Sequence, residues 1–363
     1  MSEDIYIKLR EHLNSMPAGY PATESGAEIK MLKKFYTPEQ AEIALVTGRM
    51  PEKAASIAEK LKMDPSEAAE KIEKMASEGS LFRVKTPDGP LYLQPNYIMG
   101  LYEWHVNSID KEAAEYSDDI YDALFASHWK GRETKQLRVV PVNKSIEVKN
   151  IVRSYDVLRD LAKGKTGGPY AVAPCICRIE QLKKGNKITR PLETCLTFGL
   201  VAKYYIDNGI GREMNEAQLL EKLDECEEAS LIPFSTNSKE IVNMCMCDKD
   251  TCQLIRIIGK YESPAREVHS AFYAAINPEL CTGCGKCSKK CQINAIDFTE
   301  NSGKKSGKAC SINLERCIGC GLCISACPAD AVKLIGKDQL PDVPENTVEL
   351  NVRISTERVK LGI

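Results

Sequence analysis

The sequence lacks the features that mark membrane proteins, secreted proteins and nucleotide-binding proteins. No apolar run within its 363 residues approaches the ~18 residues that a membrane-spanning helix needs. The segment Met1–Asp4 is acidic and is not followed by the apolar stretch of a signal peptide, so we expect a cytoplasmic protein without a membrane span. The glycines within residues 163–168 resemble those of a phosphate-binding loop, but the frame G-x4-G-K-[ST] is missing.

Residues that commonly carry out acid–base or nucleophilic chemistry form no pattern in this sequence. There are four histidines, and we find neither a catalytic triad nor a pair of carboxylates suited to acid–base catalysis. His105 and His128 each stand alone, which predicts packed or exposed side chains and not metal ligands. The chain is 43% hydrophobic and 28% charged with a net charge of −2, which is typical of a soluble globular protein of two or three domains.

Cysteine is the residue that the sequence has in excess, with sixteen copies. Eight of them form two runs with the spacing C-x2-C-x2-C-x3-C, and the second run repeats the first at an offset of 36 residues. Ile276 and Asn277 match Ile312 and Asn313 at the same offset. In a protein that is not expected to be secreted, such triplets predict metal binding and not disulfide bonds. Zinc sites use pairs of cysteines, so iron–sulfur clusters are the better prediction.

These two runs resemble those of the bacterial ferredoxins that hold two [4Fe-4S] clusters, over about residues 275–336. In that family three cysteines of one run bind one cluster, and the fourth cysteine binds the other cluster. Glycines beside the cysteines let backbone N–H groups approach the sulfur atoms. The resemblance implies a first ligand set of Cys281, Cys284, Cys287 and Cys327, and a second of Cys317, Cys320, Cys323 and Cys291.

One position departs from the ferredoxin pattern. Gln292 follows Cys291, where members of that family usually carry proline. A proline at this position shapes the loop and excludes water. The departure therefore bears on the potential of the cluster nearest Cys291 and not on the existence of that cluster.

Six further cysteines lie in three short segments between residues 175 and 252, and four of them form two C-x-C pairs. Such pairs can bridge neighbouring irons of one cluster or bind one metal ion. The alternatives are a zinc site and six buried or free thiols, since cysteine also packs as a small hydrophobic residue. We expect a third [4Fe-4S] cluster that is held by four of these six cysteines. They are Cys175, Cys177, Cys195, Cys245, Cys247 and Cys252.

The same region also resembles uncharacterised ferredoxin-tailed proteins of anaerobes, which combine a Pro-Cys-x-Cys-Arg element with a later cysteine-rich loop. Here the element spans Pro174–Arg178. The resemblance names no activity, but oxygen-sensitive clusters predict an anaerobe as the source. Arg178 and Arg256 are expected to offset the negative charge of a cluster. Cys226 and Cys310 are predicted not to be ligands.

The fold class that we predict is α+β with a modular organisation. Residues 1–30 predict a helix and a loop, and residues 31–98 predict three helices and a hairpin, an order that resembles a winged helix-turn-helix. Thr37 and Asp64 are predicted N-caps. From Asp64 to Glu78 the third helix carries five acidic residues against two lysines, so we expect a protein-interaction module that does not bind nucleic acid.

Residues 99–270 are predicted to form a helical central domain that carries the six cysteines, with Cys195 at the start of an apolar helical stretch. The aromatic residues near its beginning are predicted to be core residues. Residues 271–340 are predicted to form the ferredoxin domain. Residues 341–363 are predicted to be a tail with one amphipathic strand, because Val348, Leu350 and Val352 alternate with polar residues.

The function that we expect is low-potential one-electron transfer, by a free carrier or by a subunit of a larger redox complex or oligomer that works with redox partner proteins. We do not expect an enzyme that acts alone. A redox-sensing winged-helix regulator, an oxidoreductase whose active site is the central cluster, and a scaffold with structural clusters stay open. Residues Asn277 to Asp338 include nine basic and six acidic residues, a net charge of +3. The loop Lys304–Lys308 is therefore a candidate docking surface for an acidic partner, and an ordinary solvated loop is the alternative.

Overall fold

The computed structural model describes residues 2–142, 158–164, 167–301, 303–304 and 306–363. Two residues of the glycine-containing loop, Lys165 and Thr166, lie outside the described residues. Lys305 of the predicted docking loop also lies outside them.

The N-terminal part is helical and ends in a hairpin. Thr37 begins one helix with a capping box that it shares with Gln40. Asp64 begins another helix by accepting hydrogen bonds from the backbone N–H groups of Ser66 and Glu67. Both helices begin where the capping signals predict, whereas the resemblance to a winged helix-turn-helix stays a prediction. The elements are α1 (Ser2–Asn14), α2 (Ala27–Phe35), α3 (Pro38–Val46), α4 (Ala54–Leu61), α5 (Pro65–Ser77), β1 (Phe82–Thr86) and β2 (Gly89–Leu93).

An aromatic layer follows the hairpin. It contains α6 (Tyr102–Trp104) and α7 (Lys111–Leu124), with a non-helical turn at Ile98–Gly100 before α6 and a π-helical turn after α7. Neighbouring rings stack or meet edge to face. Phe125 and Trp129 stack with their ring centroids 4.9 Å apart. Five of the six aromatic residues predicted to be in the core are buried in this layer, and the sixth, Tyr116, is half-buried. The five are Tyr102, Trp104, Tyr121, Phe125 and Trp129.

The central region is built on a six-stranded antiparallel sheet with the strand order β3-β7-β8-β5-β4-β6, so the prediction of a helical central domain is wrong. Cys195 lies on a strand and not at the start of a helix; the helix begins at Gly199. The strands are β3 (Leu137–Val139), β4 (Tyr170–Pro174), β5 (Glu193–Phe198), β6 (Arg212–Met214), β7 (Ile232–Thr236) and β8 (Asn243–Cys247). The helices around them are α8 (Leu158–Lys163), α9 (Ile176–Lys183), α10 (Gly199–Asp207), α11 (Glu216–Glu228) and α12 (Gln253–Ile258).

The strands could not be predicted because hydrophobic residues are buried on both faces of the sheet. Along β4, Ala171 and Ala173 belong to one hydrophobic cluster, and Tyr170 and Val172 belong to a second cluster on the opposite face. A strand that is buried on both faces reads as a short apolar run, which periodicity cannot distinguish from a buried helix.

The ferredoxin region consists of two copies of one pattern. The strand β9 pairs antiparallel with β12, and β10 pairs antiparallel with β11. Each cysteine run passes from a loop into a short helix. The elements are β9 (Phe272–Ile276), α13 (Lys286–Lys290), β10 (Ile296–Glu300), β11 (Lys308–Ile312), α14 (Leu322–Ser325) and β12 (Val332–Gly336).

The C-terminal segment is the helix α15 (Thr347–Leu361), so the predicted strand is wrong. Asn346 caps its start by accepting a hydrogen bond from the backbone N–H of Glu349. Leu350 and Ile354 are buried four residues apart, as one face of a helix requires, whereas Val348 is 68% exposed. Apolar residues at positions 350 and 354 are compatible both with the two-residue period of a strand and with the spacing of a helix. The N-cap at Asn346 favours the helix.

One cluster of buried hydrophobic residues extends from α1 through one face of the central sheet to the cysteine loops of the ferredoxin region. The segments predicted as separate domains therefore share packing contacts. Within the described part of the chain, no helix is both long and apolar enough to cross a membrane.

Candidate iron–sulfur sites

Four cysteines that were assigned to one ligand set line a single cavity in the ferredoxin region. Three come from the first run and the fourth comes from the end of the second run, which is the crossed arrangement that the sequence predicts. We call Cys281, Cys284, Cys287 and Cys327 the outer cysteine set, because Cys284 is exposed to solvent. The backbone N–H of Lys286 lowers the pKa of the Cys284 thiol, which favours the thiolate that binds iron.

The other four cysteines of the two runs also come together. We call Cys291, Cys317, Cys320 and Cys323 the inner cysteine set. Burial raises the pKa of the Cys320 thiol to about 12, and the nearby Cys291 and Cys317 act in the same direction. The pKa of Cys323 is raised by burial and by Cys320, Cys317 and Cys291. Thiols in such mutual proximity favour a bound cation, which compensates for their negative charge.

Backbone N–H groups point at the sulfur atoms in both sets. Ala295 N lies 3.2 Å from Cys291 Sγ, and Ala331 N lies 3.3 Å from Cys327 Sγ, at positions that the 36-residue repeat relates. Gly283 N similarly lies 3.4 Å from Cys281 Sγ. Hydrogen bonds of this kind to cysteine sulfur tune the reduction potential of a cluster.

Two glycines allow the close approach of the loops to neighbouring backbone. Gly283 has φ +68°, and a Cβ there would lie 2.0 Å from the carbonyl oxygen of Lys308. Gly319, its counterpart in the second run, has φ +70°, and a Cβ there would lie 2.1 Å from the carbonyl oxygen of Phe272. Only glycine fits both the positive φ and the contact. The donor set, the N–H groups and the glycines therefore all fit a [4Fe-4S] cluster in each set.

The six remaining predicted ligands are brought together by the central sheet, and we call them the central cysteine group. Cys195 on β5 and Cys245 on β8 are opposite each other in the antiparallel pairing. Cys247 follows on the same face of β8, and its Sγ lies 3.1 Å from the Sγ of Cys252. Cys175 begins α9, and a hydrogen bond to Cys177 raises the pKa of the Cys175 thiol. Three segments that are distant in sequence thus meet.

Arg178 ties the three segments of the central cysteine group to one another. Its guanidinium is fully buried and donates hydrogen bonds to Thr194 Oγ1, to the carbonyl oxygen of Met246 and to the carboxylate of Asp248. Each acceptor lies next to a cysteine of the group: Thr194 precedes Cys195, and the other two flank Cys247. Arg178 thus places a buried positive charge among the cysteines of the group, where it is paired with the carboxylate of Asp248.

One buried donor among the central cysteines has no partner. Arg178 Nε is buried without a hydrogen-bond partner, and the guanidinium interacts electrostatically with Cys175 and Cys247. Cluster sulfides accept hydrogen bonds, so this donor fits a cluster.

Among the described residues, no three His, Cys, Asp or Glu side chains are arranged around a position where they could hold a single metal ion. The choice of a cluster over zinc at the central cysteine group therefore rests on the number and spacing of its cysteines. Cys226, predicted not to be a ligand, packs in the hydrophobic cluster on the opposite face of the sheet.

Cys310, predicted not to be a ligand, lines the cavity of the outer cysteine set, although it lies between the two runs and its counterpart at the 36-residue offset is Ala274. Two carboxyl groups near the central cysteines were not identified from the sequence. Glu180 lies three residues after Cys177 on α9, a spacing that places both on one helix face. Burial raises the pKa of Glu180 to about 8, and burial raises the pKa of Glu103 to about 7.

Comparison with known families gives one match. Residues 280–331 match the family model described as a 4Fe-4S dicluster domain. Comparison with curated proteins gives no match, and comparison with solved structures gives none either. The chain therefore carries a ferredoxin-type 4Fe-4S domain near its C-terminus, which indicates 4Fe-4S clusters and iron–sulfur electron transfer.

Proposed function

We propose that the protein is a low-potential one-electron carrier, or the electron-transfer subunit of a larger redox complex. It uses two [4Fe-4S] clusters, one held by the outer cysteine set and one by the inner cysteine set, and a third cluster at the central cysteine group. The observation that carries the proposal is the pairing of two crossed cysteine sets with a match to a 4Fe-4S dicluster domain over residues 280–331. A cluster supplies one-electron redox chemistry when bound.

The proposed third cluster takes four of the six central cysteines. The contacts favour Cys175, Cys177, Cys252 and Cys247, because these thiols interact in series. Cys195 hydrogen-bonds the hydroxyl of Tyr205 and not another cysteine, and burial, with Cys175 acting in the same direction, raises the pKa of its thiol to about 12. This assignment makes Cys195 and Cys245 neighbours of the cluster and not its ligands.

The partner that we propose is an acidic redox protein that docks at the outer cysteine set. Lys286 and Lys308 are exposed near Cys284, and Lys304 donates to the carbonyl oxygen of Glu279 two residues before Cys281. Opposite charges on two proteins raise the rate at which they meet in a productive orientation. A basic surface around the exposed cysteine therefore favours an acidic electron donor or acceptor.

For the N-terminal part we propose protein contacts and no binding of nucleic acid. Lys71 of α5 forms ion pairs with Glu39 and Glu67, and Lys74 pairs with Glu78. Lysines that are already paired with carboxylates neutralise few phosphates, and phosphate neutralisation supplies much of the affinity for DNA.

A second candidate function is an oxidoreductase whose active site is the central cysteine group. The observation that favours it is the presence of two carboxyls, the buried Glu180 and the half-buried Glu103, whose pKa values are raised to about 8 and about 7 by removal from solvent. Buried acids with such values near a metal site are common in enzymes that move protons. Reduction of the central group without turnover of any substrate is the outcome that separates the carrier from the enzyme.

The test uses the full-length protein purified without oxygen. Three clusters predict about twelve irons and twelve sulfides per chain. Cys284→Ser should remove or convert the outer cluster alone, and Cys320→Ser the inner cluster alone, whereas the joint replacement of Cys245 and Cys247 should remove the central one. Cys226→Ser is the matched control and should keep all the iron. Full iron and unchanged EPR spectra in Cys284→Ser and in Cys320→Ser would refute the ligand assignment.

A further inference from the structure

A hydrogen bond joins a residue next to the inner cysteine set to a residue in a loop of the central cysteine group. Gln292 is 3% exposed, and its Oε1 accepts a hydrogen bond of 3.1 Å from the backbone N–H of Lys249. Lys249 lies in the loop between Cys247 and Cys252, and Gln292 directly follows Cys291. The side chain that replaces the usual proline of ferredoxins thus joins a cysteine of one set to the loop of the other.

Arg316 joins the same two parts of the chain through further hydrogen bonds. Arg316, which directly precedes Cys317, donates hydrogen bonds of 2.9 Å to the carbonyl oxygen of Gly259 and 3.2 Å to that of Tyr261. Gly259 caps the end of α12, and α12 begins directly after Cys252. Two members of the inner cysteine set are therefore each adjacent to a residue that is bonded to the central loop or to its helix.

The remaining contacts indicate that the inner cysteine set lies between the outer cysteine set and the central cysteine group. The backbone N–H of Val142, at the edge of the central sheet, donates a hydrogen bond of 3.0 Å to the carbonyl oxygen of Cys320. The corresponding cysteine of the first run, Cys284, is exposed. The residues that line the cavity of the outer cysteine set all lie between Ile276 and Val332, within the ferredoxin region. One cysteine set thus faces solvent and the other faces the central group.

From this order we infer that the chain holds one electron path, which runs from solvent to the outer cysteine set, then to the inner cysteine set and then to the central cysteine group, with Gln292 as the residue that sets the last separation. The inference rests on the proposed function, because it requires a cluster at the central group. One electron moves in each step: the site that gives it is oxidised, the site that receives it is reduced, and no bond forms or breaks. Dithionite or a low-potential partner protein supplies the electron.

Glutamine at position 292 supplies a hydrogen-bond acceptor between the two loops. The Gln292 amide oxygen reaches across the interface to the N–H of Lys249, whereas proline has no side-chain acceptor. Loss of this bond removes the side-chain acceptor of the Lys249 N–H and loosens the contact between the two loops. Because electron tunnelling weakens steeply with separation, a looser contact slows transfer into the central group.

The test compares Gln292→Ala with Gln292→Glu in the full-length protein. The alanine removes the acceptor, whereas the glutamate keeps an oxygen at the same distance along the side chain and serves as the rescue. After mixing with a limiting amount of dithionite, rapid-freeze EPR gives the rate at which the central signal appears and the magnetic coupling between the inner and central signals. We expect both rate and coupling to fall several-fold in Gln292→Ala and to stay near those of the native protein in Gln292→Glu.

Two results would overturn the inference, and they can be told apart. A Gln292→Ala protein with full iron, native coupling and a native rate shows that the path does not depend on this contact. Rapid reduction of the central group in a Cys320→Ser protein whose iron content and EPR spectrum show loss of the inner cluster would show that the path takes another route. An iron content of only about eight per chain in the native protein removes the central cluster, and with it the proposed function in its three-cluster form.

Discussion

Arg178 and Asp248 form an ion pair of 2.7 Å between two side chains that have no exposure to solvent. Asp248 also accepts hydrogen bonds from Thr251 and from the backbone N–H of Asp250, so its carboxylate has several partners. A buried pair of this kind tolerates the loss of one partner poorly, because the remaining charge stays in a medium that solvates it weakly.

We therefore expect Arg178→Met to lower the free energy of unfolding by on the order of 3 kcal/mol and to release the iron of the central group. Denaturant unfolding of the anaerobic protein measures the first effect, and iron analysis measures the second. Arg212→Met is the control, since Arg212 pairs with Glu193 at the surface with side-chain exposures of 49% and 43%. Exposed pairs contribute less than about 1 kcal/mol. Equal effects of the two substitutions would contradict the role given to Arg178.

A pair of glycine substitutions separates backbone strain from steric fit. Gly319→Ala places a methyl group 2.1 Å from the Phe272 carbonyl oxygen at φ +70°, whereas Gly26→Ala has nothing within 4 Å at φ +66°. In both variants the left-handed backbone conformation of alanine lowers the free energy of unfolding by about 1 kcal/mol. Only in Gly319→Ala must a loop of the inner cysteine set also shift to make room for the methyl group. We expect Gly319→Ala alone to lose inner-cluster iron. Full iron content in Gly319→Ala would show that the loop accommodates the methyl group without loss of the inner cluster.

Charge reversal tests the proposed docking surface. Lys304→Glu combined with Lys308→Glu should slow electron transfer from a reduced acidic ferredoxin, most strongly at low salt, because screening shortens the reach of the charges. The control is Lys8→Glu with Lys111→Glu, two exposed lysines on α1 and α7. Stopped-flow rates over a range of salt concentrations measure the effect. A rate that is independent of salt in the native protein would assign these lysines to an ordinary solvated surface.

His105 makes the fold sensitive to acid. Its ring stacks on Phe35 at 3.8 Å and hydrogen-bonds the carbonyl oxygen of Leu101 through Nδ1. Burial lowers the pKa of His105 to about 4. Between pH 6.5 and pH 4 the unfolded chain therefore binds a proton that the folded chain does not bind, and the free energy of unfolding falls as the pH falls, by on the order of 3 kcal/mol across this window.

Side-chain NMR of the four histidines measures this directly. The His105 ring should stay neutral at pH 5.5, and His105→Gln should remove its share of the acid dependence of unfolding. A protonated His105 at pH 5.5 in the folded protein would show that the ring is better solvated than its contacts imply.

The ferredoxin loops and the helix starts could be predicted because their signals are local. The spacing of Cys281, Cys284 and Cys287 brings three thiols together within a few residues, and the capping residues Thr37 and Asp64 bond to N–H groups of the next turn. Such signals need no knowledge of the rest of the fold.

The central sheet and the C-terminal helix could not be predicted because their signals depend on distant packing. The strands that carry Cys195 and Cys245 are buried on both faces, so they show no alternation. The last helix is fixed by an N-cap at Asn346 and by Arg358, whose guanidinium reaches the carbonyl oxygens of Asn14 and Met16. The bond from Lys249 to Gln292 likewise joins segments whose proximity no spacing in the sequence reveals.

The most direct test of the central claim is a count of the electrons that each chain accepts. Reductive titration of the anaerobic full-length protein, followed by EPR, measures this number together with the potential of each step. Our account predicts about three electrons per chain at low potential, one for each [4Fe-4S] cluster. Uptake of about two electrons would remove the central cluster from the account, and a protein that accepts none from a low-potential donor would contradict electron transfer altogether.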